Sequence, residues 1–162
     1  MNAQVTAETF RKILFCTDFS DNADFAFDFA IDAARRRPGA ILYLIHVLAE
    51  PDAQFWKSYI YEVENVDSMA KAEINRKIET DYLPRIPAGV ELRTVFRIGK
   101  PDKQILSFAK EEQVDLIVLG RQGRGLVFFG NVATKVAKNA EVPVLIVPIS
   151  ATAGKKQATE TT

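Results

Sequence analysis

The stretch that decides the fold is DLIVLGRQGRGLVFFGN, Asp115 to Asn131. It opens on an apolar run of strand length, then turns abruptly glycine-rich. Four glycines and two arginines fall between Gly120 and Asn131. A glycine turn placed after a strand and before a helix suits an anion. Backbone amides can approach an oxygen closely there, and the helix start offers unpaired N–H groups. The same glycines also have a purely structural reading, a tight strand-to-loop turn that needs positive φ. That reading accounts less well for Arg121 and Arg124, because guanidinium is a strong phosphate partner. The stretch is not a Walker A loop. Gly125 and Gly130 have its spacing, but Asn131-Val132 stands where Lys-Ser/Thr belongs.

Working outward, four more apolar runs share the strand length of DLIVL: KILFC (12–16), ILYLIHV (41–47), ELRTVFR (91–97) and PVLIV (143–147). The runs at 41, 115 and 143 are almost continuously apolar, as strands covered on both faces are. The run at 91 alternates, which places it nearer an edge. Helical patterns separate the runs. Ser20 is a good N-cap with Asp21 and Asp24 behind it, and Ala23, Ala26, Phe27, Ala30 and Ala34 recur at helical spacing. Pro38-Gly39 stops that helix, and Arg35-Arg36-Arg37 suits its C-terminal end. A long helix is expected over roughly 53 to 83, its face marked by Phe55, Tyr59, Val63, Val66, Ala70, Ile74 and Ile78. Pro101 suits a first helical turn, followed by Ile105, Leu106 and Ala109. Val132, Val136 and Ala140 mark the last helix. The order β-α-β-α-β-α-β-α-β predicts a doubly wound parallel α/β sheet. Ligands in such sheets lie beyond the carboxyl ends of the strands, where Cys16-Thr17-Asp18 and Gly120 fall.

Composition narrows the function classes. Lysine plus arginine and aspartate plus glutamate number 21 each, so no net charge draws the chain to nucleic acid or an anionic membrane. No apolar run approaches the ~20 residues of a membrane span. The N-terminus lacks the apolar segment of a signal peptide. A single cysteine, Cys16, permits no intrachain disulfide, which fits a reducing compartment. The expectation is a cytoplasmic chain with one domain at 1–150 and a disordered tail at 151–162. His46, the single histidine, lies in an apolar strand and reads as a satisfied core group. No zinc cluster and no nucleophile–base pair is evident, so no catalytic residue is assigned.

Taken in order, KILFCTDFSDNADFAFDFA, LIHV, IGKPDKQILSFAKEEQVDLIVLGRQGRG and GNVATKVAKNAEVPVLIV resemble the universal stress protein family from end to end, the tail excepted. The resemblance implies a single five-stranded parallel sheet in the order 3-2-1-4-5 with helices on both faces. That is a Rossmann-like architecture of the adenine nucleotide alpha hydrolase-like type. It implies a homodimer held through the last strand, Val144 to Val147, and a stress-response role. One branch of the family binds ATP through Gly-x-x-Gly, nine residues, then Gly followed by Ser or Thr. Here Gly120 and Gly123 match, Gly130 fits the later glycine, and Asn131 stands in the Ser/Thr position. Only six residues, Arg124 to Phe129, separate Gly123 from Gly130.

The site the resemblance implies comprises Thr17, Asp18 and Val47 around an adenine, and Gly120, Gly123, Arg124, Gly130 and Asn131 around phosphates, for ATP with magnesium. Two readings stay open. One is a nucleotide-binding module with an altered loop, a weak ATPase at most. The other is a dimeric interaction protein whose loop is degenerate, with no cofactor and an unknown protein partner. Phe55 and Trp56 could pack in the core, cover a ligand or meet a partner; Phe128 and Phe129 could pack inward, meet another subunit, or fill the pocket and so exclude nucleotide.

Overall fold

The computed structural model describes residues 10–49, 72–121 and 130–148, with backbone alone at Ala49, Gly130 and Asn131. Five parallel strands form one sheet: β1 (Lys12–Cys16), β2 (Ile41–Ala49), β3 (Glu91–Gly99), β4 (Leu116–Arg121) and β5 (Val144–Pro148). Their order across the sheet is β3-β2-β1-β4-β5. The chain leaves β1 toward β2 on one side, and β4 lies on the other. The order therefore reverses between β1 and β4, and a crevice opens there at the carboxyl ends. The register sets Cys16 beside Ile45 and Leu119, so three apolar side chains share one row at that end.

Helices cover both faces. The first helix, α1 (Asp21–Arg35), starts where Ser20 Oγ accepts from the Ala23 N–H at 3.3 Å. Its buried residues are Ala23, Ala26, Phe27, Ala30 and Ala34, the stripe its spacing predicts. Arg35 and Arg36 pair with Asp32 at 3.3 and 3.0 Å in the last turn and C-cap, and Gly39 then turns the chain at φ +83°. The second helical segment, α2, runs from 72 to 77, widens into a π turn at Ile78–Tyr82 and tightens into a 3₁₀ turn at Leu83–Arg85. The earlier part of the helix expected from 53 lies outside the described residues, as do Phe55 and Trp56. α3 (Pro101–Glu111) has proline in its first turn, and α4 (Gly130–Asn139) carries Val132, Ala133 and Val136.

Two cores result. One joins Ile13 and Phe15 to α1 and to Ile78 and Tyr82; the other joins Leu14, Ile45, Ile117 and Leu119 to α3 and α4. The alternation of β1 side chains sends odd residues to the first core and Leu14 to the second. At the opposite end of the sheet Asp115 Oδ2 accepts from the Arg11 and Lys12 N–H groups, each at 2.9 Å. That carboxylate fixes where β1 begins against β4.

β5 departs from its expected burial. Its apolar run predicts cover on both faces, yet it is the outermost strand, and Leu145 is 38% exposed. Its apolar pattern is not explained by burial among the described residues. β3, whose alternation points to an edge, is the other outer strand.

The first core holds one polar tie. Tyr82 is fully buried, packs edge-on to Phe27 at 4.7 Å, and shares a hydrogen bond of 2.7 Å with Thr17 Oγ1. Burial, above all, raises its phenol pKa, so the group stays neutral and able to donate. Tyr82→Phe keeps the ring and removes that hydrogen bond. The expected cost is about 1 kcal/mol by urea denaturation, with an unchanged m-value.

Candidate functional site

The chain leaving β1 is held by its own polar groups. The Thr17 N–H donates to the Ile45 carbonyl at 3.0 Å, continuing the β1–β2 ladder by one residue. Thr17 is only 5% exposed, and its Oγ1 accepts from the Phe19 N–H at 2.9 Å as well as meeting Tyr82. The His46 Nδ1–H donates to the Thr17 carbonyl at 2.9 Å. Asp18 Oδ1 accepts from the Ser20 N–H at 3.0 Å and from the Ser20 hydroxyl. Phe19 is bent into a left-handed conformation, φ 62°, that bulky residues rarely adopt. Its ring sits 4.7 Å from that of His46, and Lys77 Nζ lies 5.5 Å from its centroid.

These ties place Thr17 and Asp18 at the edge of a cleft that is partly open to solvent. Its walls are the ends of β1, β2 and β4 and the first turns of α1, α3 and α4. Ile45, Val47, Pro101, Ile105, Leu119 and Val132 supply apolar surface. Cys16, Ser20, Asn22, Ala23 and Gly120 complete the described lining. An apolar hollow with a few convergent polar groups is the usual form of a small-molecule site.

Gly120 is required here for a reason other than its expected turn. It is not among the glycines with positive φ. A Cβ at this position would stand 2.7 Å from the Asn22 carbonyl oxygen and 3.0 Å from its carbon. Those atoms are backbone, in the first turn of α1, and cannot swing aside. Close packing of a helix end on β4, and not backbone handedness, demands the glycine.

Of the residues the sequence singles out, Thr17, Asp18, Val47 and Gly120 meet in this one cleft. The Thr17 hydroxyl is committed to Tyr82 and Phe19. Gly130 and Asn131 open α4, where only their backbone is described. Gly123, Arg124, Phe128 and Phe129 lie outside the described residues, as does the 151–162 tail. Ile105, Leu119 and Val132 are lining residues that the sequence marks only as core. Tyr82 escapes the sequence reading too. Its one signal is the continued four-residue step Ile74, Ile78, Tyr82.

His46 is not in the lining. Desolvation is the main cause that lowers its pKa, and the Thr17 hydrogen bond and the Asp18 charge oppose it, so the ring is neutral at neutral pH. Cys16 is partly buried at the cleft, packed against the second core, and desolvation pushes its thiol pKa far up. It is therefore a protonated, poorly nucleophilic group. Among the described residues no group of three or more His, Cys, Asp or Glu could hold a metal ion. No described helix is long and apolar enough to cross a membrane.

A sheet in the order 3-2-1-4-5 with a cleft at its reversal point invites comparison with known proteins. The profile described as "Universal stress protein family" matches residues 9–148. This chain belongs to the universal stress protein family. Universal stress protein YxiE of Bacillus subtilis is 31% identical over 147 residues, covering 85% of this chain and 99% of its own. The solved structure of protein MJ0577 of Methanocaldococcus jannaschii superposes with a TM-score of 0.70 at 26% identity, over 86% of this chain and 96% of that one. Universal stress protein UspA from Lactobacillus plantarum gives 0.67 at 25% identity, over 85% and 97%. A more distant member, solved in complex with cAMP, shares the fold at a TM-score of 0.55 and 24% identity, over 87% of this chain and 98% of its own.

Gly120→Ala tests the packing argument. The added methyl must push α1 away from β4, at an expected cost of about 1–3 kcal/mol measured by chemical denaturation. A variant as stable as the parent would show that α1 does not approach β4 this closely.

Proposed function

We propose that this universal stress protein is a regulatory binding module whose cleft takes an adenine nucleotide. One observation carries the reading. Thr17, Asp18, Val47 and Gly120, far apart in sequence, line a single apolar hollow at the sheet's reversal point. The first turns of α1, α3 and α4 open on it, and their N–H groups favour an anionic tail on an apolar ligand. In this proposal the base lies against Val47 and the Thr17-Asp18 segment. Gly120, Gly123, Arg124, Gly130 and Asn131 form the phosphate side, with ATP and magnesium as the fullest ligand. A solved family member of the same fold is a complex with cAMP; in this chain the reading rests on the cleft. Asp18, the one carboxylate among the described lining residues, is already engaged by Ser20. The role is accordingly binding rather than fast turnover, a weak ATPase at most, in a cytoplasmic protein with one domain over 1–150.

The test is an amide-resolved NMR titration of the full chain with ATP, with and without magnesium. Shifts concentrated at Thr17, Asp18, Val47 and Gly120 are expected. Unmoved signals there at millimolar ATP would remove the nucleotide reading and favour the interaction protein with a degenerate loop.

A second element of the proposal is a homodimer through β5. An outer strand normally blunts its edge with charge or proline. Here proline stands only at the two ends, Pro143 and Pro148, while Val144 to Val147 between them are all apolar and Leu145 is exposed. A second copy pairing along that edge would cover it. The expected result is twice the chain mass by light scattering for the parent, and a monomer for Leu145→Glu.

A further inference from the structure

We propose that Phe25 and Phe29 of α1 belong to the contact between two copies of this chain, packing against the same two rings of the partner across the joined β5 strands. The inference rests on the β5 homodimer reading above and deepens it. The side of α1 on which the rings stand comes first. The Asp24 carbonyl and the Asp28 carboxylate accept from Arg85, so that side of the helix faces α2. α2, through Ile78 and Tyr82, shares a core with Leu42 and Leu44 of β2. At about 100° per residue, Phe25 and Phe29 fall beyond the other side of the buried stripe, toward β5. Phe25 packs edge-on to Phe29 at 5.5 Å and against the core that Val147 of β5 enters, and Phe29 is 39% exposed.

β5 presents a matching surface. Val144 and Ile146 pack against the second core, while Val147 enters the first. Leu145 therefore faces the α1 side, where it is exposed. The heights agree as well. α1 starts with Asn22 against Gly120, and Gly120 pairs with Val147. The helix descends about 1.5 Å per residue, and β5 descends about 3.3 Å per residue beside it. Phe25 is thus level with Ile146 and Phe29 with Val144, on either side of Leu145. A single exposed apolar side chain is ordinary surface. A ring pair and a leucine beside an apolar strand edge make a patch, and its position favours a second copy as the occupant. β5 is the last of the described strands, so its outer N–H and C=O groups can pair with an identical edge. A two-fold axis through the middle of β5 then sets each patch against its own copy. With α1 lying over β4, the two α1 helices would stand about 14 Å apart, three strand spacings. Helices in direct contact lie about 8–10 Å apart. Large side chains such as these phenylalanines fill the difference.

The experiment is a dilution series of the full chain by sedimentation velocity, comparing the parent with Phe29→Glu and Leu83→Glu. Leu83 is also exposed but lies on α2, away from β5, and serves as the control. The expected result is a dimer dissociation constant raised more than about ten-fold by Phe29→Glu and by less than that for Leu83→Glu. Far-UV circular dichroism checks that α1 is kept; where glutamate disturbs it, Phe29→Ser is judged by the same threshold. A Phe29 variant that keeps its helix and dimerises within about ten-fold of the parent overturns the inference and leaves the β5 dimer standing. Equal weakening by Leu83→Glu overturns it too, because the effect is then not local to the β5 side. A parent chain that is monomeric at high micromolar concentration overturns both readings.

Discussion

The first turn of α1 can rest on the end of β4 only because Gly120 has no side chain. With a Cβ there, the Asn22 carbonyl would be 2.7 Å away. Much of the site follows from that contact. α1 starts close to the sheet, so Ser20, Asn22 and Ala23 become one wall of the cleft. The helix then runs down over β1 and β4 with its alanines inward, and small side chains allow the same close approach along its length. Phe27 reaches Phe15 and Tyr82 beneath it. The glycine that the sequence offers as a phosphate contact is thus also a packing residue. Loss of binding on replacing it would not by itself locate a phosphate.

The other end of the wall depends on a polar knot. Thr17 is the one buried polar residue among those described, and each of its hydrogen-bonding groups has a partner. An unpaired buried hydroxyl or amide would be costly. Full pairing instead makes the segment stiff. It also holds Phe19 in its left-handed conformation, a local strain of about 1–2 kcal/mol that neighbouring rings and the Thr17 hydroxyl maintain. Strain next to a cleft accords with a site shaped in advance of its ligand.

Much of this architecture can be read from the chain. Runs such as KILFC and DLIVL fix strands because continuous apolarity over five residues has few other uses in a chain of alternating helical patterns. The stripe Ala23, Ala26, Phe27, Ala30, Ala34 is the buried face of α1, residue for residue. The strand order comes from family resemblance rather than from the residues. Three features resist a sequence reading. β5 looks interior because apolarity does not say which neighbour covers it, a partner strand or a second subunit. Gly120 looks like a turn glycine because its real constraint, the Asn22 carbonyl, lies 98 positions earlier in the chain. Tyr82 looks like the fraying end of a helix, and only the packing of Thr17 above it shows its hydroxyl to be needed.

The central claim is that the hollow between the ends of β1 and β4 is a nucleotide site. A crystal structure of the full chain grown with ATP and magnesium tests it most directly. The account predicts density for the base and sugar in the cleft beside Val47 and Asp18. An empty cleft under saturating nucleotide, or density seated elsewhere on the molecule, would contradict it.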